Sequence, residues 1–411
     1  MRRFVLLLPP VIALLGILLA LGARPGEADP PAASPPRARQ AANPVDAATL
    51  RAARLATRYL IRLQQPDGSW HSDAGKKVNE SYRRFEGGKN VPHVGVTGLA
   101  LLALLAGGNL PGRGPHGAAM DKGINFLLKS IQRSGYISAH QTRMYSHAFA
   151  TLALAEIYGA SRRKRVRAAL QDAIEFTVKS QNETGGWRYV PLTNDSDMSI
   201  TVCQVVALRA ARNVGIKVPR QTIDRALKYV IESAITDNSR GLIGAFWYQP
   251  FDQNYNRPSF ALCAAGLTTL FQAGLYDDEA VRRHIKTHKI HKSPPPSIAR
   301  SVEYMRKAYR LIYNRPGRNG SGREHFFYYY GNYYAAQAMY QIGGQKPEVW
   351  SAWYSQVREH LLGMMQSTTN AETGLPEAYW RSNVDSTNAY ATACALLILQ
   401  FPLDHLPIHQ R

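Results

Sequence analysis

Asp195 and Asp197 stand two residues apart just before an apolar run, and neighbouring carboxylates push each other's pKa upward. A carboxyl held neutral in this way is a proton donor, which makes Asp197, tuned by Asp195, the candidate catalytic acid. The position also has a plainer use. An Asp before an apolar helix caps its free amides, and the helix N-terminus favours the ionised form. Polar groups also stand at the starts of other apolar runs and point at the same end: Tyr145 with His147, Asn332 with Tyr333, Asp385 with Asn388. Glu156 lies deeper in its run, where a buried carboxylate needs either a cationic partner or a function. Tyr330 and Tyr333 belong to the aromatic stretch from His325 to Tyr334, whose rings suit cation stabilisation, sugar stacking or plain packing. Tyr145, His147, Glu156, Tyr330, Tyr333 and Asp385 form the candidate substrate-binding set. His147 is a base or, more commonly for such a residue, a hydrogen-bonded wall group. His284, His288 and His291 have the spacing of metal ligands on one helix face, but their neighbours are basic and no acid stands among them. A solvated basic face is the expectation there, with no metal and no other cofactor.

These residues need elements to position them, and the chain supplies two kinds of helical segment in alternation. One kind is amphipathic. Arg51, Arg54, Arg58 and Arg62 share one face between Ala47 and Gln64, and the stretches 121–131, 167–181 and 221–231 repeat the pattern. The other kind is apolar nearly all round: Val94 to Ala106, Tyr145 to Gly159, Ser199 to Ala211, Ser259 to Gly274, Tyr330 to Gly343 and Ser386 to Gln400. A helix with no polar stripe has no face for water and must be enclosed by others. Six such helices, each preceded by a more polar one, predict an all-α (α/α)6 toroid of about twelve helices in six hairpins. Sustained period-2 alternation is absent, so little β-structure is expected. The connections His71 to Pro92 and Asp277 to Ile298 read as long surface loops. Cys203, Cys263 and Cys394 sit midway in apolar helices as small fillers, and three cysteines exclude both a disulfide scaffold and a four-thiolate zinc site.

Lysine and arginine number 50 against 29 acids, a formal charge of +21, which favours an anionic membrane surface or envelope polymer as neighbour. Arg2 and Arg3 precede an uncharged apolar stretch from Phe4 to Leu21 with small residues after it, so residues 1–23 read as a secretory signal or an N-terminal anchor. Residues 24–45 are a Pro/Ala-rich linker and residues 46–405 the toroid domain. The protein is thus expected outside the cytoplasm, which excludes nucleic acid as its partner. Oligomeric state is left open.

Two turns carry a sharper pattern. Tyr59-Leu60 is followed by Gln64 and then Gly68-Ser69-Trp70, and Phe176-Thr177 by Gln181 and then Gly185-Gly186-Trp187. Gln132 to Tyr136 is a worn copy and Thr368 to Trp380 a fainter one. This resembles the QW repeat of squalene and oxidosqualene cyclases, seen in degenerate form in protein prenyltransferase β subunits. The resemblance implies an α/α toroid around an apolar cavity that accepts an isoprenoid-like ligand. It also implies protonation by the middle acid of an Asp-x-Asp-Asp motif. Asp195 and Asp197 match the first and middle acids and Met198 replaces the last, while one barrel stands here in place of the cyclases' two. The Asp, Cys and His zinc set of the prenyltransferases is missing. On this resemblance the protein is an exported single-barrel class II terpene cyclase-like isomerase, catalysing protonation-initiated cyclisation or isomerisation. The alternatives are a non-catalytic toroid that binds a ligand or protein, and an (α/α)6 lyase or hydrolase acting on acidic polysaccharide.

Overall fold

The computed structural model describes residues 45–74, 88–237, 241–251, 258–313, 327–382 and 387–409, which fall in one compact unit, Ala38–Arg411. The expected export segment, its linker and Asp385 lie outside the described residues. Within them no helix is long and apolar enough to cross a membrane.

In chain order the helices are α1 (Ala47–Arg62), α2 (Val94–Ala106), α3 (Gly117–Lys129), α4 (Met144–Ser161), α5 (Lys164–Lys179), α6 (Met198–Asn213) and α7 (Arg220–Ser233). There follow α8 (Phe260–Gln272), α9 (Asp278–Thr287), α10 (Ile298–Tyr313), α11 (Tyr328–Gly343), α12 (Pro347–Met364) and α13 (Ala389–Leu399). The apolar helices α2, α4, α6, α8, α11 and α13 each pack on the next, and α13 returns against α2. That contact closes a ring of six, the expected (α/α)6 toroid. Every residue of α2 and α8 is buried, as a helix with no wettable face requires. Around the ring stand α1, α3, α5, α7, α10 and α12. Their faces divide as the sequence predicts: in α1 the buried residues include Ala52, Ala53, Ala56 and Leu60, while Arg51, Arg54, Arg58 and Arg62 are exposed.

Two details differ from expectation. The 277–298 connection contains α9, begun by Asp277, whose side chain accepts the Ala280 amide at 2.7 Å. Two short antiparallel pairs also form, β1 (His71–Ser72) with β2 (Val91–Pro92) and β3 (Gln366–Thr369) with β4 (Pro376–Tyr379). Each pair straps a connection between an outer helix and the following inner one.

The inner helices run in parallel, with their N-termini at one end, here called the mouth. The Tyr145 hydroxyl donates to Ser199 Oγ at 2.7 Å and the Tyr330 hydroxyl to the Ser199 carbonyl at 3.0 Å, joining the starts of α4, α6 and α11. At the far end Gln400 reaches the Ala103 carbonyl at 3.0 Å and Arg209 the Gln272 carbonyl at 2.8 Å. Buried Ile408 in the 3-10 turn Pro407–His409 lies under that end, its carbonyl accepting from Gln272 at 3.3 Å.

The glutamine-glycine-tryptophan turns have a definite mechanical role. The Trp70 indole donates to the Leu60 carbonyl at 2.6 Å and the Trp187 indole to the Thr177 carbonyl at 2.9 Å. The main-chain amide of each then meets an inner-helix hydroxyl, Thr97 or Thr201. Gln64 and Gln181 reach forward to the Ala119 and Thr222 carbonyls at 2.8 and 2.9 Å, at the next outer helix in each case. Gly185, at φ +92°, lies so close to the Arg225 carbonyl that a Cβ would sit 2.3 Å from it. The motif therefore locks an outer helix, an inner helix and the next outer helix at one point. Trp380, donating to Leu361 and accepted by Thr392 in the same way, completes the faint copy.

Candidate functional site

Asp197 is the N-cap of α6, in extended conformation before Met198. Its Oδ1 accepts from Ser199 Oγ at 2.5 Å and from the Ile200 amide at 3.0 Å, and its Oδ2 accepts from Arg188 Nη1 at 2.9 Å. Burial pushes its pKa up, against the pull of Ser199, Arg188 and the Ile200 amide. Every neighbour within reach is a donor, so the arrangement suits a fixed carboxylate that positions others. Arg188 also holds Asp195, Nε to Oδ2 at 3.0 Å, so one guanidinium joins the two acids singled out in the sequence. The Asp195 side chain is 56% exposed, while that of Asp197 is fully covered. Gln249 donates to Asp195 Oδ1 at 2.7 Å and to the Ser196 carbonyl at 2.9 Å, which fixes the 188–197 connection against the one that leads to α8.

Tyrosines surround this core. The Arg188 guanidinium lies 4.9 Å from the Tyr189 ring centre and 5.7 Å from that of Tyr248. The hydroxyls of those two tyrosines are 2.5 Å apart, and Tyr248 also accepts from Arg188 at 3.1 Å. The Tyr145 ring lies 5.8 Å from Tyr189 and 6.2 Å from Tyr330. Tyr145, Tyr189, Tyr248 and Tyr330 are all half-buried. Burial holds the hydroxyls of Tyr145, Tyr248 and Tyr330 well above the usual phenol range, so at neutral pH they are hydrogen-bond donors and not bases. Burial opposes the Arg188 charge, but Asp197, Tyr248 and Asp195 outweigh it and raise its pKa.

The structure therefore gathers four of the sequence candidates, Asp195, Asp197, Tyr145 and Tyr330, into one cluster. It places three elsewhere. His147 is buried in the wall: Nδ1 accepts the Ile137 amide at 3.1 Å and Nε2 meets Thr177 Oγ1 at 2.9 Å. That is the place held by Thr97 and Thr201 in the neighbouring repeats, so the histidine acts there as a lock between helices. Burial pushes its pKa down to about 3, keeping it neutral. Glu156 is three turns below Tyr145, beside Ile408 at the far end, and neither carboxyl oxygen finds a well-formed hydrogen bond among the described residues. Burial raises its pKa to about 8, offset in part by the Ile408 backbone. Tyr333 is buried one turn below this cluster, its ring 5.0 Å from Tyr334 and 6.1 Å from Phe149.

The Tyr333–Phe149 contact settles what lies beneath the mouth. α4 and α11 stand opposite each other in the ring, and their rings meet at two levels, Tyr145 with Tyr330 and Phe149 with Tyr333. The axis is filled there by the protein's own side chains. An isoprenoid folded inside the barrel would need those levels empty.

Sequence reasoning missed Arg188, Tyr189, Tyr248, Ser199 and Gln249. A signal for three of them existed. Arg188 and Tyr189 directly follow the motif Trp187, and Tyr248 stands two residues after Phe246, which holds the corresponding place in the next repeat. Among the described residues no group of three or more His, Cys, Asp and Glu is placed to hold a metal ion.

No family model matches the sequence and no curated protein matches it. Solved structures do match in fold. A cellobiose 2-epimerase of Spirochaeta thermophila is 13% identical, with a TM-score of 0.56 over 87% of this chain and 96% of the other. An α-1,6-mannanase of Salegentibacter sp. HEL1_6 is 11% identical, with a TM-score of 0.52 over 87% of this chain and 99% of the other. An α-amylase of Clostridium perfringens is 10% identical, with a TM-score of 0.52 over 86% of this chain and 97% of the other. These likenesses overturn the resemblance to squalene cyclases and prenyltransferases. The glutamine-glycine-tryptophan turn reports how helical hairpins lock side by side in a toroid, and the fold is that of (α/α)6 toroids known from carbohydrate enzymes.

Proposed function

We propose that the protein binds and hydrolyses a sugar chain at the mouth of the toroid. The observation that carries this reading is the hydrogen-bonded chain Arg188–Asp197–Ser199–Tyr145, set where the inner helices begin and flanked by Tyr189, Tyr248 and Tyr330. Partly exposed aromatic rings beside fixed donors and an arginine are what a pyranose ring and its hydroxyls require. The fold supports the same reading, since the matching solved structures include a mannanase, an amylase and an epimerase. Of the two acids, Asp195 is the one open to solvent and takes the proton of the attacking water. The Tyr248 hydroxyl, kept protonated by burial, gives a proton to the departing sugar oxygen and recovers it from Asp195. Asp197 positions Arg188 and Ser199. Elimination from a uronate with a tyrosinate as the base is disfavoured, because burial keeps the Tyr145 and Tyr248 hydroxyls neutral.

A second reading, a glycan-binding toroid without catalysis, is favoured by one feature: a single arginine holds both acids at the mouth. A panel of neutral and acidic oligosaccharides separates the two. Calorimetry should show binding that is lost in Tyr189→Ala and Tyr248→Ala. Release of new reducing ends should be lost in Asp195→Asn while binding persists. Binding without any product selects the second reading. Binding that is indifferent to both tyrosine substitutions removes the mouth from either.

A further inference from the structure

The two ends of the toroid carry different surfaces. Because the inner helices run in parallel away from the mouth, every connection from an inner helix to the next outer helix lies at the far end. Cations stand exposed on five of these connections in turn, Arg113, Arg162, Lys217, Arg283 in α9 and Lys346, and Arg165 follows in the first turn of α5. None of these six is paired with an acid among the described residues, whereas neighbouring Arg163 pairs with Asp121 at 2.6 Å. The apolar surface is distributed in the opposite way. Exposed Val190, Leu192, Phe251, Phe327 and Leu375 lie on connections at the mouth, while the basic end exposes Leu110 on a connection and Leu50 in the first turn of α1.

The chain also enters the toroid at this end. Asp46, the cap of α1, is held by Arg358, one turn from Tyr354, whose hydroxyl donates to the Leu399 carbonyl in the last turn of α13. The sequence that precedes α1 includes the uncharged apolar stretch from Phe4 to Leu21.

We propose that the basic end docks on an anionic lipid surface, with the mouth turned away from it. Cations spread around a ring with few exposed apolar side chains among them suit headgroup attraction without deep insertion. Each basic residue near a charged bilayer adds to binding, and salt screens the whole effect.

The test uses the full chain and sedimentation with two kinds of vesicle, phosphatidylcholine alone and equal parts phosphatidylcholine and phosphatidylglycerol. Any contribution of the apolar N-terminal stretch is common to both, so the ratio of the two partition coefficients reads the charged face. The wild type should prefer the anionic vesicles, and the preference should fade in high salt. Arg162→Gln with Lys164→Gln and Arg165→Gln should reduce it by about ten-fold or more. The same number of changes at the mouth end, Lys129→Gln with Arg133→Gln and Lys179→Gln, should leave it unchanged. Equal binding to both vesicles overturns the proposal, as does an equal loss from the mouth-end variant. Retention by a soluble anionic polysaccharide with no preference between vesicles also overturns it and assigns the face to a polymer.

Discussion

Arg188 and Asp197 form a 2.9 Å ion pair in which the carboxylate is fully buried and the guanidinium side chain is 22% exposed. A buried charge without its partner is costly, and this pair joins the connection after Trp187 to the first turn of α6.

Arg188→Ala should therefore destabilise the protein by about 3–5 kcal/mol, because it strands the Asp197 carboxylate. Adding Asp197→Asn should recover part of that loss, since a neutral amide no longer needs a counter-charge. Urea denaturation midpoints of the two single variants and the double variant measure the coupling. Additive losses would show that the two side chains act independently.

Two glycines with nearly the same backbone conformation should respond differently to alanine. Gly185 (φ +92°) faces the Arg225 carbonyl at 2.3 Å from a built Cβ, while Gly215 (φ +86°) has open space around it. Gly215→Ala should cost about 1–2 kcal/mol, the strain of a left-handed residue. Gly185→Ala should cost clearly more, since α7 must also move. Thermal unfolding of the two variants side by side gives the comparison, and equal shifts would contradict the packing account.

Glu156 makes stability depend on pH between about 4.5 and 8. Its folded pKa is raised by burial to about 8 from a reference of 4.5, so between those values the folded state binds the extra proton. Stability must then fall as pH rises through that window, by an amount on the order of a few kcal/mol. Glu156→Gln should flatten the decline between neutral pH and pH 8 and leave the variant the more stable form at the upper end. A wild-type profile that is flat there would refute the assignment.

His147 works in the acid direction. Its folded pKa is depressed to about 3 from 6.5, so the unfolded chain takes the proton first. The stability it confers is present above about 6.5 and drains away as pH falls toward 3. His147→Asn keeps an acceptor for the Ile137 amide and should make the protein less sensitive to acid. Chemical denaturation at a series of acidic pH values would show a shallower slope in the variant.

Much of the architecture was legible in the chain. The six apolar runs become the six inner helices, and Arg51, Arg54, Arg58 and Arg62 face outward from α1 as their spacing demands. The helical α9 was missed because its cationic run carries too little apolar periodicity to mark a packed face. The lineage suggested by Gln64, Trp70, Gln181 and Trp187 misled for a physical reason: these residues solve a packing problem common to helical toroids. At the site, Asp195, Asp197, Tyr145 and Tyr330 were legible from their place at helix starts. His147 was misplaced because a histidine can do the work of the threonines at 97 and 201.

By itself the sequence determined which helices must be enclosed, in what order they alternate with amphipathic ones, and where chemistry could gather. Those properties are local, since side-chain period and charge act within a few turns of helix. Tertiary structure alone decided that Arg188 would hold both aspartates, that Phe149 and Tyr333 would meet across the axis, and that Glu156 would lie against Ile408. Such contacts join residues far apart in the chain. They depend on how six helices divide the space inside a closed ring, which no stretch of sequence specifies alone.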